Sequence, residues 1–360
     1  MTANQAAPEN RRPLDRVRGA LGVSLAGAGT AEPAATPVRG SRGRHAGPAA
    51  SPPGASAHRA AMAGRVRRGI AACRAYPTAT AGGVIVVAMA AFCFLGPLLY
   101  HTDQTHVFLA QANFSPRSGH PLGTDGDGQD ELGRLMRGGQ VSLELAAIAG
   151  ILAALLGSLW GAVAGYVGGV ADAVMMRVVD AAIAIPAVVL LLLLMSIYQP
   201  STAMLVVVIA ATSWLSTARL VRAEAVTLRM REYVQAAVVM GGGSLRIILR
   251  HIAPNAVGTI VVNVTFQIAN AILILATLSF LGLGVQFPSV DWGDMIAGAA
   301  QTISDGYWWE ILAPGAAIAV IVAAFAMLGD GLRDAFAADG YDATRAASDA
   351  VGSVTEQGEL

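Results

Sequence analysis

Residues 232–255 read EYVQAAVVMGGGSLRIILRHIAPN. The stretch lies between two long apolar runs, yet it is too polar to span a bilayer and too apolar for a simple loop. After the glycines at 241–243, Leu245, Ile248, Leu249 and Ile252 recur at i, i+3, i+4 and i+7, which predicts one apolar stripe on a helix. Arg246 and Arg250 share another face. Before the glycines, Tyr233, Ala236, Ala237 and Met240 keep the same spacing. Gly241 permits a sharp turn between the two helices, and Pro254 is expected to end the second one. Periodicity alone leaves two readings open. The insert is either an interfacial helix with its arginines toward lipid headgroups or a helix that docks on a partner.

Outside the insert the composition is that of a membrane protein. Of the 360 residues, 54% are hydrophobic and 13% charged, against about 25% charged in a soluble domain. The apolar residues cluster into six runs, taken as spans at about 81–100, 145–166, 181–198, 203–220, 257–285 and 311–328. Each covers roughly 30 Å of hydrocarbon with tilt or flanking residues. The expected fold is an all-α integral membrane protein. Residues 1–75 are rich in Ala, Pro, Gly, Ser and Arg and lack apolar periodicity, so a disordered tail is expected there. The first apolar run begins only near residue 81 and is too long for a signal peptide, so none is expected. Residues 338–360 are expected to form a flexible C-terminal tail.

All 24 basic residues are Arg, and 12 of them lie in the first 75 residues. If that tail is cytoplasmic, Arg177, Arg219, Arg222, Arg229, Arg231, Arg246, Arg250, Arg333 and Arg345 fall on the same side, and only Arg117, Arg134 and Arg137 lie outside. This asymmetry follows the positive-inside rule and puts both termini and the insert in the cytoplasm. Without any Lys, a phosphate-binding P-loop is excluded, so ATP hydrolysis is not expected in this chain. Cys73 and Cys93 suggest neither a disulfide nor a metal site. His101, His106 and His120 are scattered, and GTDGDGQDE (123–131) lacks the alternation and terminal Glu of a calcium loop. No catalytic residue, metal, cofactor or nucleic-acid site is expected.

Span five carries Asn263, Gln267, Asn270 and Thr277. Offsets of 4, 7 and 14 put them on one helix face. Amides are costly in hydrocarbon unless paired or wet. The reading preferred here is a translocation path, with interhelical hydrogen bonding as the alternative. Gly157, Gly161 and Gly165 form GxxxGxxxG in span two, for close packing within the subunit or against a second one. Arg177 and Asp180 are expected to pair locally, and Pro186 to kink span three. Asp330, Arg333 and Asp334 form either a solvated end or a contact with the insert or with the partner on which it docks, and Trp292, Trp308 and Trp309 are read as interface anchors.

The string A-A-x-x-x-G at 236–241, followed by His251-Ile252-Ala253-Pro254, resembles the EAA loop of ABC importer permeases. Gln235 stands at that family's Glu position and Ala253 at its usual Leu. HPLGTDGDGQDELGRLMRGGQVSLEL (120–145), RVVDAAIAIP (177–186), WLSTARLVRAEAVTLRMREYVQAA (214–237), SFLGLGVQFPSVDWGDM (279–295) and LGDGLRDAF (328–336) are similar to segments of its dipeptide/oligopeptide/nickel branch. The likeness runs over residues 77–337 and is closest to the C-type permease. Ala326 and Ala337-Ala338 depart from the family's Asn and Asp-Pro.

The resemblance implies a type I ABC importer permease fold for residues 76–337, with 229–255 as the coupling loop. It implies that Gln235, Ala236, Ala237, Gly241, Leu245, Ile248, Leu249 and Pro254 form the contact with an ATPase. The implied partners are a B-type permease, two ATP-binding subunits, an extracytoplasmic substrate-binding protein and membrane lipid. The implied substrate is a dipeptide or oligopeptide, with nickel, glutathione and haem as alternatives within the branch. The implied location is a bacterial inner membrane. A secondary transporter or channel is the rival from another class, and it would need titratable groups at mid-membrane.

Overall fold

The structure, a computed structural model, describes residues 75–102, 106–197 and 201–357, with side chains as far as 338. All but the last position of the expected disordered tail lies outside the described residues. Helices α1 (Pro77–Leu99), α2 (Glu131–Val167), α3 (Gly169–Ile183), α4 (Ala187–Ile197) and α5 (Thr202–Arg229) precede the insert. Then come α6 (Glu232–Val239), α7 (Ser244–Ile247), α8 (Ala253–Phe280), α9 (Trp292–Thr302) and α10 (Trp308–Gln357). Among the described residues five helices are long and apolar enough to cross a membrane, six when α3 and α4, bent by 79° at their junction, are counted as one broken span.

Several boundaries differ from the sequence expectation. Span two starts at Glu131, well before Leu145, because Asp130 caps the helix by accepting from the Gly133 N–H at 2.8 Å. At about 1.5 Å per residue, its 37 residues outreach the hydrocarbon. Span three is broken by 79° between Ile183 and Ala187. Pro186 lacks the N–H that a continuous helix would need there. Residues 338–357, expected as a flexible tail, continue α10 as helix; the segment is rich in Ala and contains no Pro.

The core is organised by α2, α5 and α8. Lipid gives apolar side chains no net drive to associate, so close backbone approach must supply the contact. Gly157, Gly161 and Gly165 do so against α5. An added Cβ on Gly157 would sit 2.5 Å from the Trp214 carbonyl, and one on Gly165 2.7 Å from the Arg222 carbonyl. The glycine stripe thus packs within the chain. The α3 segment is tied to α5 by ions. Arg222 donates to Asp172 through Nε (3.1 Å) and Nη2 (2.5 Å), and Arg219 Nη2 donates to Asp180 Oδ1 at 2.6 Å. Asp180 therefore pairs with Arg219 across helices, and the expected local pair with Arg177 is not formed.

At the end opposite the insert, residues 106–130 fold into turns organised by aspartates. Asp125 Oδ1 accepts from the backbone N–H of Asp127 (3.1 Å) and Gln129 (2.8 Å), and its Oδ2 lies 3.2 Å from Arg134 Nε. Burial pushes the Asp125 carboxyl above its usual range, while Arg134 and the two N–H donors oppose that shift. Asp130 Oδ2 accepts from Tyr100 and lies 2.8 Å from His120 Nδ1. Trp292 is not an interface anchor. It is fully buried beside Gly139, and its Nε1 donates to the Leu135 carbonyl at 2.9 Å. Trp308, by contrast, is exposed.

Candidate functional site

The insert forms two short helices joined through the glycines. Gly241 has φ +80°, a left-handed conformation that side chains rarely adopt. The second helix does not end at Pro254. It continues through a π-helical turn, Ile248–Ile252, straight into α8. In a continuous α-helix the proline ring would clash with the Arg250 carbonyl and leave it without a donor. The wider turn accommodates this. The Ala253 N–H reaches back to the Ile248 carbonyl, and Asn255 Nδ2 donates to the His251 carbonyl at 2.6 Å. Pro254 thus opens span five.

The predicted apolar stripe divides in two. Ile248 and Ile252 are buried, as is Ile247, which the stripe did not include. They pack with Val234, Ala237 and Ala256 against Val221, Ala225 and Leu228 of α5. Burying each such side chain contributes about 1.5–3 kcal/mol, so this cluster fastens the insert to the spans. Leu245 and Leu249 point the other way, at 70% and 60% exposure. Val239 and Met240 join them at 87% and 81%, with Arg246 and Arg250 exposed beside them. Ala236 and Gln235 are exposed, and Gln235 Nε2 donates to the Arg229 carbonyl at 2.9 Å. Of the eight coupling positions, Ala237 and Ile248 therefore serve the chain's own core. Met240 belongs to the set of positions spaced before the glycines, whereas Val239 is an exposed apolar position that this spacing missed, beside the glycine turn.

The four polar residues of span five do not share one environment. Gln267 is buried, and its Nε2 donates to the Ser213 carbonyl (3.0 Å), Ser216 Oγ (3.1 Å) and Thr217 Oγ1 (2.7 Å) on α5. Thr217 in turn donates to Asn263 Oδ1 at 2.6 Å. Asn263 and Gln267 are thus interhelical glue, which corrects the expectation of a single path-lining face. Asn270 and Thr277 are exposed, and Thr277 Oγ1 returns to its own helix at the Leu273 carbonyl. The stripe straddles the margin between the α5 contact and an open surface. Nothing in the sequence marked Thr217, a buried hydroxyl on the neighbouring span, as the partner of both amides.

Near the insert, a cavity of about 470 Å³ is lined by Glu224, Asn263, Phe266, Arg333 and Phe336. The Arg333 guanidinium lies 5.7 Å from the centre of the Phe266 ring. The middle of α10 therefore meets the base of span five, where contact with the insert was one expectation. Among the described residues, no group of three or more His, Cys, Asp or Glu is placed to hold a metal ion.

Residues 157–339, which contain the insert, the three glycine contacts with α5 and the amide ladder, match the family described as binding-protein-dependent transport system inner membrane component. The chain belongs to that family. As a binding-protein-dependent permease it has relatives that cover most of its length. It is 40% identical over 241 residues to a Brucella suis biovar 1 (strain 1330) protein that carries a provisional peptide permease name, covering 67% of this chain and 80% of that one. It is 35% identical over 257 residues to the dipeptide transport system permease protein DppC of Bacillus subtilis (strain 168), covering 71% and 80%. It is 37% identical over 259 residues to the oligopeptide transport system permease protein OppC of Escherichia coli (strain K12), covering 71% and 85%. The chain is thus a multi-pass inner membrane permease subunit of the ABC importer class, with the likeness falling on C-type permeases.

Proposed function

We propose that this permease passes dipeptides or oligopeptides and forms half of their route. It pairs with a B-type permease and is driven by two ATP-binding subunits. An extracytoplasmic binding protein delivers the substrate. The chain itself carries out no chemistry. The substrate class rests on the transport functions for which the relatives are named, and the cytoplasmic position of both termini and the insert rests on the arginine asymmetry.

The observation that carries the mechanism is the unbroken run from Ser244 to Phe280. The exposed apolar side chains Leu245, Leu249, Val239 and Met240 suit docking into a groove on an ATPase, with arginines at the rim. The buried isoleucines clamp the insert to α5 and α8. A displacement of the docked insert is therefore passed to α8 as a rigid lever, and α8 carries Asn270 and Thr277 on its open side. Alternating access follows when paired ATPases close, draw the two docked inserts together and swing the spans outward to accept substrate.

The test is ATP-dependent uptake in proteoliposomes holding the complete importer. Dipeptide accumulation that requires ATP, the binding protein and Leu245 is expected. Uptake that survives without ATP would instead favour a secondary transporter.

A further inference from the structure

The end of the molecule opposite the insert contains a cavity of about 730 Å³ that the transport reading leaves unused. That size lies within the roughly 300–1,000 Å³ range of small-molecule sites. Its walls come from the turn at 125–127, the starts of α2 and α10, the end of α8, and α9. Asp125, Asp127, Glu131, Asp294 and Glu310 line it, and among the described residues Arg134 is the only basic one in its lining. Arg134 is already engaged, with Asp125 at 3.2 Å, Asp294 at 3.8 Å and the Gln129 side chain.

Two of the carboxylates stand out. Glu131 is 2% exposed and Glu310 3% exposed, and in each the buried Oε1 has no hydrogen-bond partner among the described residues. The other oxygen of Glu310 accepts from Thr302 at 2.6 Å. Leaving a buried acceptor unpaired costs about 1–3 kcal/mol, and more for a charged one, so two such oxygens on side chains of one cavity suit a ligand that brings hydrogen-bond donors. Among the described residues no three of these acids are grouped as metal ligands must be. A donor with several N–H groups and some bulk fits better than a bare ion.

The cavity also adjoins the proposed route. Asn270, Leu273, Thr277 and Phe280 fall at i, i+3, i+7 and i+10 on α8, and all four are exposed. Phe280 and the next residue, Leu281, form part of the cavity wall. The open side of α8 therefore runs from the cavity lip toward the middle of the span.

We propose that this cavity receives the free α-ammonium group of a peptide as it enters the permease. The proposal rests on the reading of the chain as a peptide permease. The ammonium supplies up to three N–H donors to the unpaired oxygens of Glu131 and Glu310, and the peptide backbone extends toward Thr277 along α8. A lysine of the docked delivery protein could offer the same chemistry, and the test separates the two.

The complete importer is purified in lipid nanodiscs without its binding protein, and binding of alanylalanine and N-acetyl-alanylalanine is measured by calorimetry. The free peptide is expected to bind roughly tenfold or more tightly than the acetylated one, the factor associated with a hydrogen bond to a charged group. Glu310→Gln is expected to remove that preference. Asp127→Asn, at an exposed lining position where the fold is not at risk, is expected to reduce it. Equal binding of the two peptides, no binding of either, or a preference that survives in both variants would overturn the proposal. The binding protein is then added back and its co-purification measured; variants that weaken only this docking would also overturn the proposal, because the site would then take a protein side chain. ATP-dependent uptake of alanylalanine by the same preparation separates the two readings. Uptake without amine-selective binding removes the ammonium site and leaves the permease reading intact, whereas uptake of no peptide removes both.

Discussion

Gln267 Nε2 lies 2.7 Å from Thr217 Oγ1, and that contact turns the most buried amide of span five toward α5 and away from the open surface. Asn270, three residues on, has no such partner and is exposed. The two residues should therefore fail differently. Gln267→Leu leaves Thr217 without its donor and is expected to lower the yield and thermal stability of the purified complex. A loss of about 1 kcal/mol per interhelical bond is the scale found in membranes. Asn270→Leu is expected to keep wild-type yield and reduce uptake. Equal loss of folded complex in both would assign Asn270 a structural role.

The glycine contact between α2 and α5 predicts a packing defect. A Cβ on Gly161 would run into the Ala218 backbone carbonyl, and backbone cannot step aside as a side-chain tip can. Gly161→Val is expected to separate the helices and lower the melting temperature of the detergent-solubilised protein. The same change at Gly298, where an added Cβ meets nothing within 4 Å, is expected to be nearly silent.

The Asp172–Arg222 fork holds the first half of the broken span to α5. Asp172→Asn keeps the shape and removes the charge. Hydrogen bonds to charged groups contribute about 1.5–3 kcal/mol, so a loss of that order in unfolding free energy is expected. Arg222→Lys should lose part of it, because a single ammonium cannot make the two parallel bonds. Denaturation of the three proteins in one detergent checks the order.

For the insert, exposure separates docking from folding. Leu245→Asp alters a side chain 70% exposed and is expected to abolish transport while the protein still inserts in the membrane. The ATPases should fail to co-purify with it. Ile247→Asp puts a charge at a position 1% exposed and is expected to reduce the amount of folded protein. Gly241→Val forces a β-branched residue to φ +80° and should misplace the apolar tip without unfolding the spans. Wild-type uptake and co-purification in both Leu245→Asp and Gly241→Val would mean that the insert rests on the bilayer instead.

Much of the architecture was legible in the sequence because membrane helices announce themselves. Hydrocarbon demands long apolar runs, and six were visible, Pro186 marking the one that breaks. The insert was legible as two helices around a glycine turn, because 3.6-residue periodicity and Gly241 are local signals. Boundaries were not, since the caps and turns that set them draw on more distant residues. Asp130 starts α2 early with help from Tyr100 and His120, and the π turn carries the chain past Pro254 into α8.

What the sequence determined by itself was therefore the composition of each face: which helices carry amides, glycines or arginines, and at what spacing. What only the tertiary structure decided was the neighbour each face meets. Asn263, Gln267, Asn270 and Thr277 are one stripe on a helical projection. Thr217 on α5 reaches the first two and leaves the others open, and Ile247, Ile248 and Leu249, adjacent in sequence, divide between core and surface. Periodicity fixes an angle around one helix axis. Burial depends on where a second axis lies, and that position is set by close contacts such as those of Gly157, Gly161 and Gly165 with α5.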